Sequence, residues 1–362
     1  MMPPSSHSLA AVYYGHPGEI ELTQIQTPEP SGFEILVRVE ACTLCGSDLH
    51  SFKGARKVAV PTILGHEITG RIETFGPRAS RVDASGQPLT EGDRVVWALV
   101  ASCGECFFCE RGLTQKCLRA VKYGHQAFTE GHELLGGLAE HCLLMPGTTI
   151  VLVPDGLSLE VVTPSSCATA TIAAALETVE TLQGRSVLIT GAGLLGLTAA
   201  AMARSRGASE VIVCDVNSLR RGRAIQFGAT RSVSPNDVSA VVSEVTKDLG
   251  IDLAIELSGA TAAFDSLWPH VRLGGTIALV GSVFPSDPVA ISMEQIVRRN
   301  LTIRGIHNYG PKHLVEAVRF LADNHQIYPL ESIVSQWFPL TEVRTALAAA
   351  MNPENIRIGI RP

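Results

Sequence analysis

The sequence predicts an α/β protein in which a β-rich domain is joined to a doubly wound domain with a parallel sheet. Short apolar runs separated by Gly, Pro and Asp turns fill the chain up to about residue 164. Beyond that point strand-like and helix-like segments alternate, which indicates βαβ units. A glycine-rich turn joins the first such strand to its helix. The 362 residues suit two domains better than one.

The β-rich part contains strand candidates such as Glu34–Val39 and Val95–Val100, and mixed patterns return from about Tyr309. The chain therefore leaves its first domain, builds a second and comes back. We expect residues 1–163 and 304–362 to form one domain, and residues 164–303 to form the other. A cleft between two such domains is the natural place for a ligand.

The alternating part predicts a parallel sheet with helices on both faces, because βαβ crossovers are right-handed. Helices are expected at Leu195–Arg206 and Leu219–Phe227. The strand candidates, in chain order, are Ser186–Thr190, Glu210–Asp215, Asp252–Leu257, Thr276–Val280 and Leu301–Ile306.

Composition excludes several classes of protein. Hydrophobic residues make up 46% and charged residues 18%, so the chain can bury a core and is not disordered. A net charge of -6 argues against nucleic-acid or membrane-surface partners, which need clustered positive charge. No signal peptide or membrane-spanning run stands out, so we expect a cytoplasmic protein with no membrane partner.

The glycine turn is Gly191-Ala-Gly193-Leu-Leu195-Gly196, and Asp215 ends the next strand at the spacing of about 20 residues that dinucleotide-binding folds require. The turn and the helix N-terminus would hold a pyrophosphate. Asp215 would accept hydrogen bonds from the ribose hydroxyls and repel a 2′-phosphate, which favours NAD over NADP. Arg220 could instead hold that phosphate, and a chance glycine turn is the alternative to the whole site.

Four of the nine cysteines crowd into one loop, as Cys103, Cys106, Cys109 and Cys117. Four thiolates at this spacing can wrap one tetrahedral Zn²⁺, and a closed four-sulfur site leaves no position for substrate. We therefore predict a structural zinc site. Disulfides, free thiols and an iron–sulfur cluster are the alternatives.

Further ligand types are scattered: Cys45 in CGSDLH, His66 and Glu67 in GHE, and Cys167 before the nucleotide domain. No spacing rule joins them. Taken alone, a His beside a Glu is usually an ordinary surface pair, and a lone Cys is usually a small buried apolar residue. The residues by themselves leave both interpretations open.

A family resemblance adds to this reading. CGSDLH, GHE, GDRV, the four-cysteine loop, GGLAEH and GAGLLG occur in the order seen in medium-chain, zinc-containing alcohol dehydrogenases, and the likeness covers nearly the whole chain. The resemblance implies a GroES-like catalytic domain followed by a Rossmann domain. It also implies a second, catalytic zinc held by Cys45, His66 and Cys167, with the fourth position open.

The same resemblance assigns roles to neighbouring residues. Glu67 matches an acid that can exchange onto the metal, and Asp48 matches the acid that orients His66. Ser47 and His50 match a proton relay. Gly46 stands where some members carry a phosphate-binding arginine. The expected cofactor-binding residues are Gly191, Gly193, Leu195, Gly196, Asp215, Arg220, Thr171, Val280 and Arg357.

Together these observations predict an NAD-linked zinc alcohol dehydrogenase that oxidises a primary or secondary alcohol to an aldehyde or ketone. CTLCGSDLH, KYGH and CATATIAAALE resemble a subgroup associated with phosphonate catabolism, which implies a hydroxyalkyl phosphonate substrate. An apolar, terpenoid-like secondary alcohol is the rival. A zinc-free reductase and a non-catalytic NAD-binding sensor are alternatives of other classes. The resemblance also implies a homodimer or homotetramer.

Overall fold

The structure is a computed structural model that describes residues 6–362. The strands, labelled β1 to β17 in chain order, are His7–Tyr13, Glu21–Gln26, Ile35–Thr43, Thr62–Ile63, Glu67–Phe75, Arg94–Ala101, Val121–Lys122, His141–Leu144, Thr148–Leu152, Ser186–Thr190, Glu210–Cys214, Arg231–Val233, Ile251–Glu256, Val271–Leu279, Thr302–Gly305, Val334–Pro339 and Arg357–Arg361. The α-helices, labelled α1 to α10, are Gly46–Phe52, Leu159–Val162, Ala168–Leu176, Leu194–Ser205, Ser218–Gln226, Val238–Thr246, Thr261–Leu267, Met293–Arg298, Pro311–Asn324 and Val343–Ala350.

The chain divides into two compact units. The first unit comprises residues 6–170, 310–325 and 330–362, and the second comprises residues 171–309 and 326–329. The sequence-based boundaries, at 163/164 and 303/304, come six or seven residues earlier. The first boundary moves because the 3-10 turn Thr163–Ser166 packs against β5 and β6 and so stays with the first unit.

The first unit is built on an open antiparallel sheet with the strand order β16-β17-β3-β5-β6-β7, in which only β16 and β17 are parallel. β8 pairs with β3, β9 pairs with β6, and β2-β1-β4 form a separate three-stranded sheet. β3 reads ILVRVEACT, and most of its residues are buried because it lies in the middle of the sheet. The core of the first unit includes Val37, Ile68, Trp97 and Leu138, each at most 1% exposed.

The second unit is a parallel sheet with the strand order β12-β11-β10-β13-β14-β15. This is the doubly wound order, in which the chain starts at the centre and winds outward in both directions. β10 (SVLIT) is buried along its whole length, as expected of a central parallel strand. The predicted fold class is therefore confirmed, and the strand candidate Leu301–Ile306 corresponds to β15 at one edge of the sheet.

Residues 6–362 contain no single helix that is long and apolar enough to cross a membrane. One bent pair, Leu159–Ser166 with Ala168–Leu176, satisfies the test only by its length and composition.

Candidate active site

The CGSDLH segment forms the start of α1, directly after β3. Cys45 precedes the helix, and Asp48 turns back so that its Oδ2 accepts the Cys45 backbone N–H at 2.9 Å. This contact satisfies one of the N–H groups that a helix start leaves without a partner. It also buries Asp48 completely, close to Cys45.

Asp48 orients His66. Its Oδ1 lies 3.1 Å from His66 Nδ1 and also accepts the backbone N–H of Gly65 at 3.1 Å. Burial alone would raise the pKa of Asp48, but the charge and hydrogen bond of His66 outweigh burial and lower it. Burial alone would lower the pKa of His66, but Asp48 and Cys45 raise it well above its ordinary value. Because Asp48 contacts Nδ1, the second ring nitrogen, Nε2, is the one that could bind a metal.

The four scattered ligand types come together in the first unit. One ligand atom from each of Cys45, His66, Glu67 and Cys167 lies within 4.8 Å of the others, and we call these residues the ligand cluster. A hydrogen bond from Cys167, aided by the charge of Arg357, lowers the pKa of Cys45 well below its usual value. The same hydrogen bond, together with burial, raises the pKa of Cys167. One sulfur of the pair is therefore disposed to be a thiolate.

Both carboxylate oxygens of Glu67 already accept hydrogen bonds from two partners. Thr43 Oγ1 donates to its Oε2 at 2.6 Å, and the Arg357 guanidinium donates to both of its oxygens at 2.9 and 3.0 Å. Burial raises the pKa of Glu67 even though Arg357 by itself lowers it. Burial by itself lowers the pKa of Arg357, but the charges of Glu67 and Cys45 raise it overall.

These residues fit a zinc ion by their chemistry. Two sulfurs and one imidazole nitrogen form a ligand set that suits Zn²⁺, and three protein ligands leave the fourth tetrahedral position for water or substrate. Glu67 is committed to Arg357 and Thr43, so Cys45, His66 and Cys167 are the three residues that would hold the ion. A second possible group, Asp48, His66 and His125, shares the same imidazole.

The proposed relay residues lie on the same short helix as Asp48. Ser47 is half-buried, and its Oγ is 3.4 Å from His66 Nε2, at the edge of hydrogen-bonding distance. His50 lies one turn further along α1 and is exposed to solvent. A hydroxyl beside the ligand cluster, followed by an exposed imidazole, forms a path by which a proton could reach water.

His125 also reaches this region. Its ring centroid lies 5.2 Å from that of His66, and its Nε2 lies 2.8 Å from Arg56 Nη1. The preceding Tyr123 is 1% exposed. Tyr123 packs edge-on against Trp97, so this part of the chain is anchored in the core of the first unit.

The four-cysteine loop forms a second cluster in the first unit. Sγ–Sγ distances are 3.5 Å for Cys106–Cys109, 3.4 Å for Cys103–Cys117 and 3.9 Å for Cys106–Cys117, and all nine cysteines are free thiols. Backbone hydrogen bonds, led by that of Leu118, lower the pKa of Cys106 to about 6, and desolvation raises that of Cys109 to about 12. Four sulfurs in one tight group could form a structural zinc site.

The glycine turn of the second unit lies between β10 and α4. Gly191 has φ +95°, which favours glycine, and a Cβ at Gly196 would overlap the carbonyl oxygen of Gly191. Nothing lies within 4 Å of a Cβ built at Gly193, which caps the 12-residue helix α4. The backbone N–H groups at this helix start are therefore accessible to a phosphate, as the cofactor fit requires.

Asp215 follows β11 and closes over this turn. Its Oδ2 accepts the Ala192 N–H at 2.7 Å and its Oδ1 accepts the Asn217 N–H at 2.7 Å. A carboxylate has about four acceptor positions, so both oxygens can still accept ribose hydroxyls. The carboxylate is 8% exposed, and its placement beside the glycine turn fits a dinucleotide.

The other expected cofactor residues are placed in two groups. Leu195, Arg220, Thr171 and Val280 belong to the second unit. Thr171 and Val280 are buried, at 8% and 6% exposure. Arg357 belongs to the first unit, where its guanidinium binds Glu67 beside the ligand cluster.

Three residues near the ligand cluster were missed by sequence reasoning: Thr43, Arg56 and His125 as a neighbour of His66. Thr43 is the last residue of β3 and pairs with Glu67 on β5. A correct prediction of this strand pairing would have placed Thr43 beside Glu67. Arg56 and His125 are 69 residues apart, and no local pattern joins them.

Comparison with known proteins agrees with this geometry. Residues 31–155 match the alcohol dehydrogenase GroES-like domain, and residues 195–323 match the zinc-binding dehydrogenase domain. L-threonine 3-dehydrogenase of Coxiella burnetii (strain RSA 493 / Nine Mile phase I) is 33% identical over 336 residues, which cover 90% of this chain and 91% of that protein.

Two solved structures have the same fold. An alcohol dehydrogenase from Thermotoga maritima superposes with a TM-score of 0.91 at 29% identity, covering 98% of this chain and 99% of that one. A putative zinc-binding dehydrogenase from Sinorhizobium meliloti 1021, bound to NADP, gives 0.84 at 24% identity, covering 99% and 100%. By sequence and by fold, the chain belongs to the medium-chain zinc-dependent dehydrogenase family, whose members are oxidoreductases that use zinc and NAD(P).

Proposed function

We propose that this protein is an NAD-linked alcohol dehydrogenase that oxidises a primary or secondary alcohol to the aldehyde or ketone, with a catalytic zinc held by Cys45, His66 and Cys167. The observation that carries the proposal is the ligand cluster itself. Two sulfurs and an imidazole converge, although Cys167 is more than 100 residues from both Cys45 and His66 in the sequence. Because these three ligands leave the tetrahedral shell open, the cluster suits catalysis better than structure.

The chemistry of the bound groups is simple: zinc acts as a Lewis acid that makes a hydroxyl more acidic, and the nicotinamide accepts hydride. Asp48 holds the His66 ring so that Nε2 faces the sulfurs. Arg357 and Thr43 hold Glu67 beside them. Each ligand is thus oriented before substrate binds, which lowers the reorganisation needed in the reaction.

Ser47 and His50 carry the proton in this proposal. Ser47 Oγ is close enough to the ligand cluster to accept a hydrogen bond from the substrate hydroxyl. His50, one turn later on α1 and exposed, passes the proton to solvent.

The four-cysteine loop holds the second zinc in this proposal. Its ligand set is closed, so this metal stabilises the loop and takes no part in the reaction. The segment from Cys103 to Cys117 has only two short 3-10 turns, Cys109–Arg111 and Thr114–Lys116, and depends on such a centre for its shape.

NAD is the proposed cofactor because of Asp215. A buried carboxylate that already accepts two backbone N–H groups stays in place and repels a 2′-phosphate. Arg220, on α5, is the residue that would favour NADP instead. The NADP-bound Sinorhizobium meliloti protein makes this alternative worth testing.

The substrate is proposed at the level of a class. The resemblance to the phosphonate-catabolism subgroup favours a hydroxyalkyl phosphonate, and the curated relatives are named L-threonine 3-dehydrogenases. An apolar secondary alcohol is the rival. The chain is also proposed to form a homodimer or homotetramer, since β15 leaves an unpaired strand edge in the second unit.

The test is a substrate screen that follows absorbance of the reduced nicotinamide. Hydroxyalkyl phosphonates, L-threonine and neutral secondary alcohols are each offered with NAD and then with NADP. We expect zinc-dependent turnover of at least one alcohol, with NAD preferred. Turnover of an enone without zinc would support a reductase instead. Cofactor binding without turnover of any alcohol would indicate a sensor protein.

A further inference from the structure

Arg56 lies directly after the helix that carries the proposed proton relay. Its backbone N–H donates to the carbonyl oxygen of His50 at 3.0 Å, which fixes the chain after the turn at Gly54. The side chain is half-buried. Arg56 is therefore held in place next to α1.

The guanidinium of Arg56 is held by His125, whose ring lies beside that of His66. His125 Nδ1 lies 3.3 Å from the Tyr123 carbonyl oxygen, to which it can only donate, so Nε2 is the nitrogen with a lone pair. Nε2 accepts from Arg56 Nη1 at 2.8 Å. The ring of His125 lies against that of His66, so a single imidazole separates the guanidinium from a proposed zinc ligand.

Arg56 has no counter-charge in the part of the chain that the structure describes. Three other half-buried arginines are paired with carboxylates: Arg71 and Arg94 with Glu40, and Arg272 with Asp252. For Arg56, no carboxylate among residues 6–362 lies within ion-pairing distance. A neutral ring nitrogen is its only side-chain partner in that part of the chain.

A guanidinium carries five N–H donors in a planar fork. The contact with His125 uses one of them, and the rest have no protein acceptor in the described chain. Such a fork matches the two oxygens of a carboxylate or a phosphonate. A partly desolvated cation with unused donors is stabilised when a ligand brings the missing negative charge.

We propose that Arg56 is a specificity-determining residue that binds the anionic group of an alcohol substrate while the hydroxyl lies at the ligand cluster. The substrate class is then a short hydroxyalkyl anion, a phosphonate or a carboxylate. This inference rests on the proposed function, because it needs an alcohol at that site. It favours a charged substrate over the apolar alcohol.

The first experiment measures kcat/KM for an anionic hydroxy compound and for a neutral alcohol of the same carbon skeleton. Arg56→Ala should lower the ratio of the two values by about 10- to 100-fold, as expected when a charged hydrogen-bond partner is removed. Arg56→Lys keeps the charge but loses the planar fork of donors, so its ratio should lie between those of wild type and Arg56→Ala. Arg78→Ala removes an equal charge near Phe33 and should leave the ratio unchanged.

The second experiment measures binding without turnover. Methylphosphonate and acetate are titrated into the zinc-loaded protein by calorimetry. Wild type should bind at least one of them, about 10-fold or more tightly than Arg56→Ala does. Preference for methylphosphonate would identify a phosphonate substrate, and preference for acetate a hydroxycarboxylate.

The outcomes separate this inference from the proposed function. Turnover of alcohols with an unchanged ratio in Arg56→Ala, and equal binding of both anions by wild type and variant, would overturn the role of Arg56 and leave the dehydrogenase intact. Anion binding through Arg56 without turnover of any alcohol would overturn the dehydrogenase and the substrate assignment together.

Discussion

The guanidinium of Arg357 forms a two-pronged ion pair with Glu67, with Nε–Oε2 at 2.9 Å and Nη2–Oε1 at 3.0 Å. Arg357 is 10% exposed and Glu67 is fully buried. Arg357, the first residue of β17, thus links the C-terminal strand to Glu67 in the ligand cluster. Buried pairs of this kind are costly to break, since removing one partner leaves the other charge alone.

Arg357→Gln should therefore destabilise the zinc-loaded protein by about 3–5 kcal/mol. Arg361→Gln is the matched control on the same strand, because Arg361 pairs with Glu160 at 3.2 Å and is 51% exposed. Its loss should cost about 1 kcal/mol or less. Urea unfolding of both variants checks the difference, and equal losses would show that the Glu67 pair contributes no more than a surface contact.

Cys45→Ala should abolish alcohol turnover and leave NADH binding close to that of wild type, because Cys45 belongs to the first unit and the glycine turn to the second. Fluorescence titration of NADH and steady-state assays measure the two effects. Cys42→Ala is the control: Cys42 is fully buried but is not part of the ligand cluster. Full activity in Cys45→Ala with its zinc retained would refute the assignment of this ligand.

Cys109→Ser should lower thermal stability or disturb assembly, because a hard oxygen replaces one of the four sulfurs that hold the loop. The ligand cluster around Cys45 should keep its metal. Differential scanning calorimetry, with zinc analysis of the purified variant, measures this. If Cys109→Ser were as stable as wild type yet inactive, the roles of the two clusters would be reversed.

Asp215→Ser should shift cofactor preference toward NADP by about 10-fold or more, since the repulsion of a 2′-phosphate is removed and Arg220 remains. The ratio of kcat/KM for NAD to that for NADP is the measurement. Asp215→Ser, Arg220→Ala should lose most of the gained NADP activity if Arg220 holds the phosphate. An unchanged ratio in the single variant would mean that Asp215 does not select the cofactor.

Acid should weaken the second unit through Asp252. Burial raises the pKa of Asp252, but the Ser186 backbone N–H and Arg272 lower it more, so its folded pKa lies below its ordinary value. A group with a lowered folded pKa stabilises the protein above about pH 4, and that stability is lost as pH falls. Asp252→Asn should therefore show a flatter decline in unfolding free energy between about pH 6 and pH 3 than wild type. Parallel curves would contradict this account.

Local patterns were sufficient to predict the fold class and the glycine turn, whereas only the family resemblance joined Cys45, His66 and Cys167. The strand, glycine turn and helix around Gly191 follow directly from a buried β-branched run and from small residues at a helix start. The start of α1 was not predicted, although Asp48 lies three residues after Cys45, the spacing at which a side chain can return to the N–H group at a helix start.

Contacts over long sequence distances could not be predicted. Glu67 and Arg357 are 290 residues apart, and Arg56 and His125 are 69 apart. Nothing in one sequence links such pairs, because their meeting depends on β17 pairing with β3 and on the path of the loop after β7. The expectation that Arg357 binds the cofactor came from resemblance alone, which carries no information on its carboxylate partner.

X-ray absorption at the zinc edge of the purified wild-type protein tests the central claim most directly, since it reports the ligands of every bound zinc. We predict two zinc ions per chain and an average shell of about three sulfurs at about 2.3 Å and one nitrogen or oxygen at about 2.0–2.1 Å. A single zinc per chain with four sulfurs would contradict a catalytic metal at Cys45, His66 and Cys167.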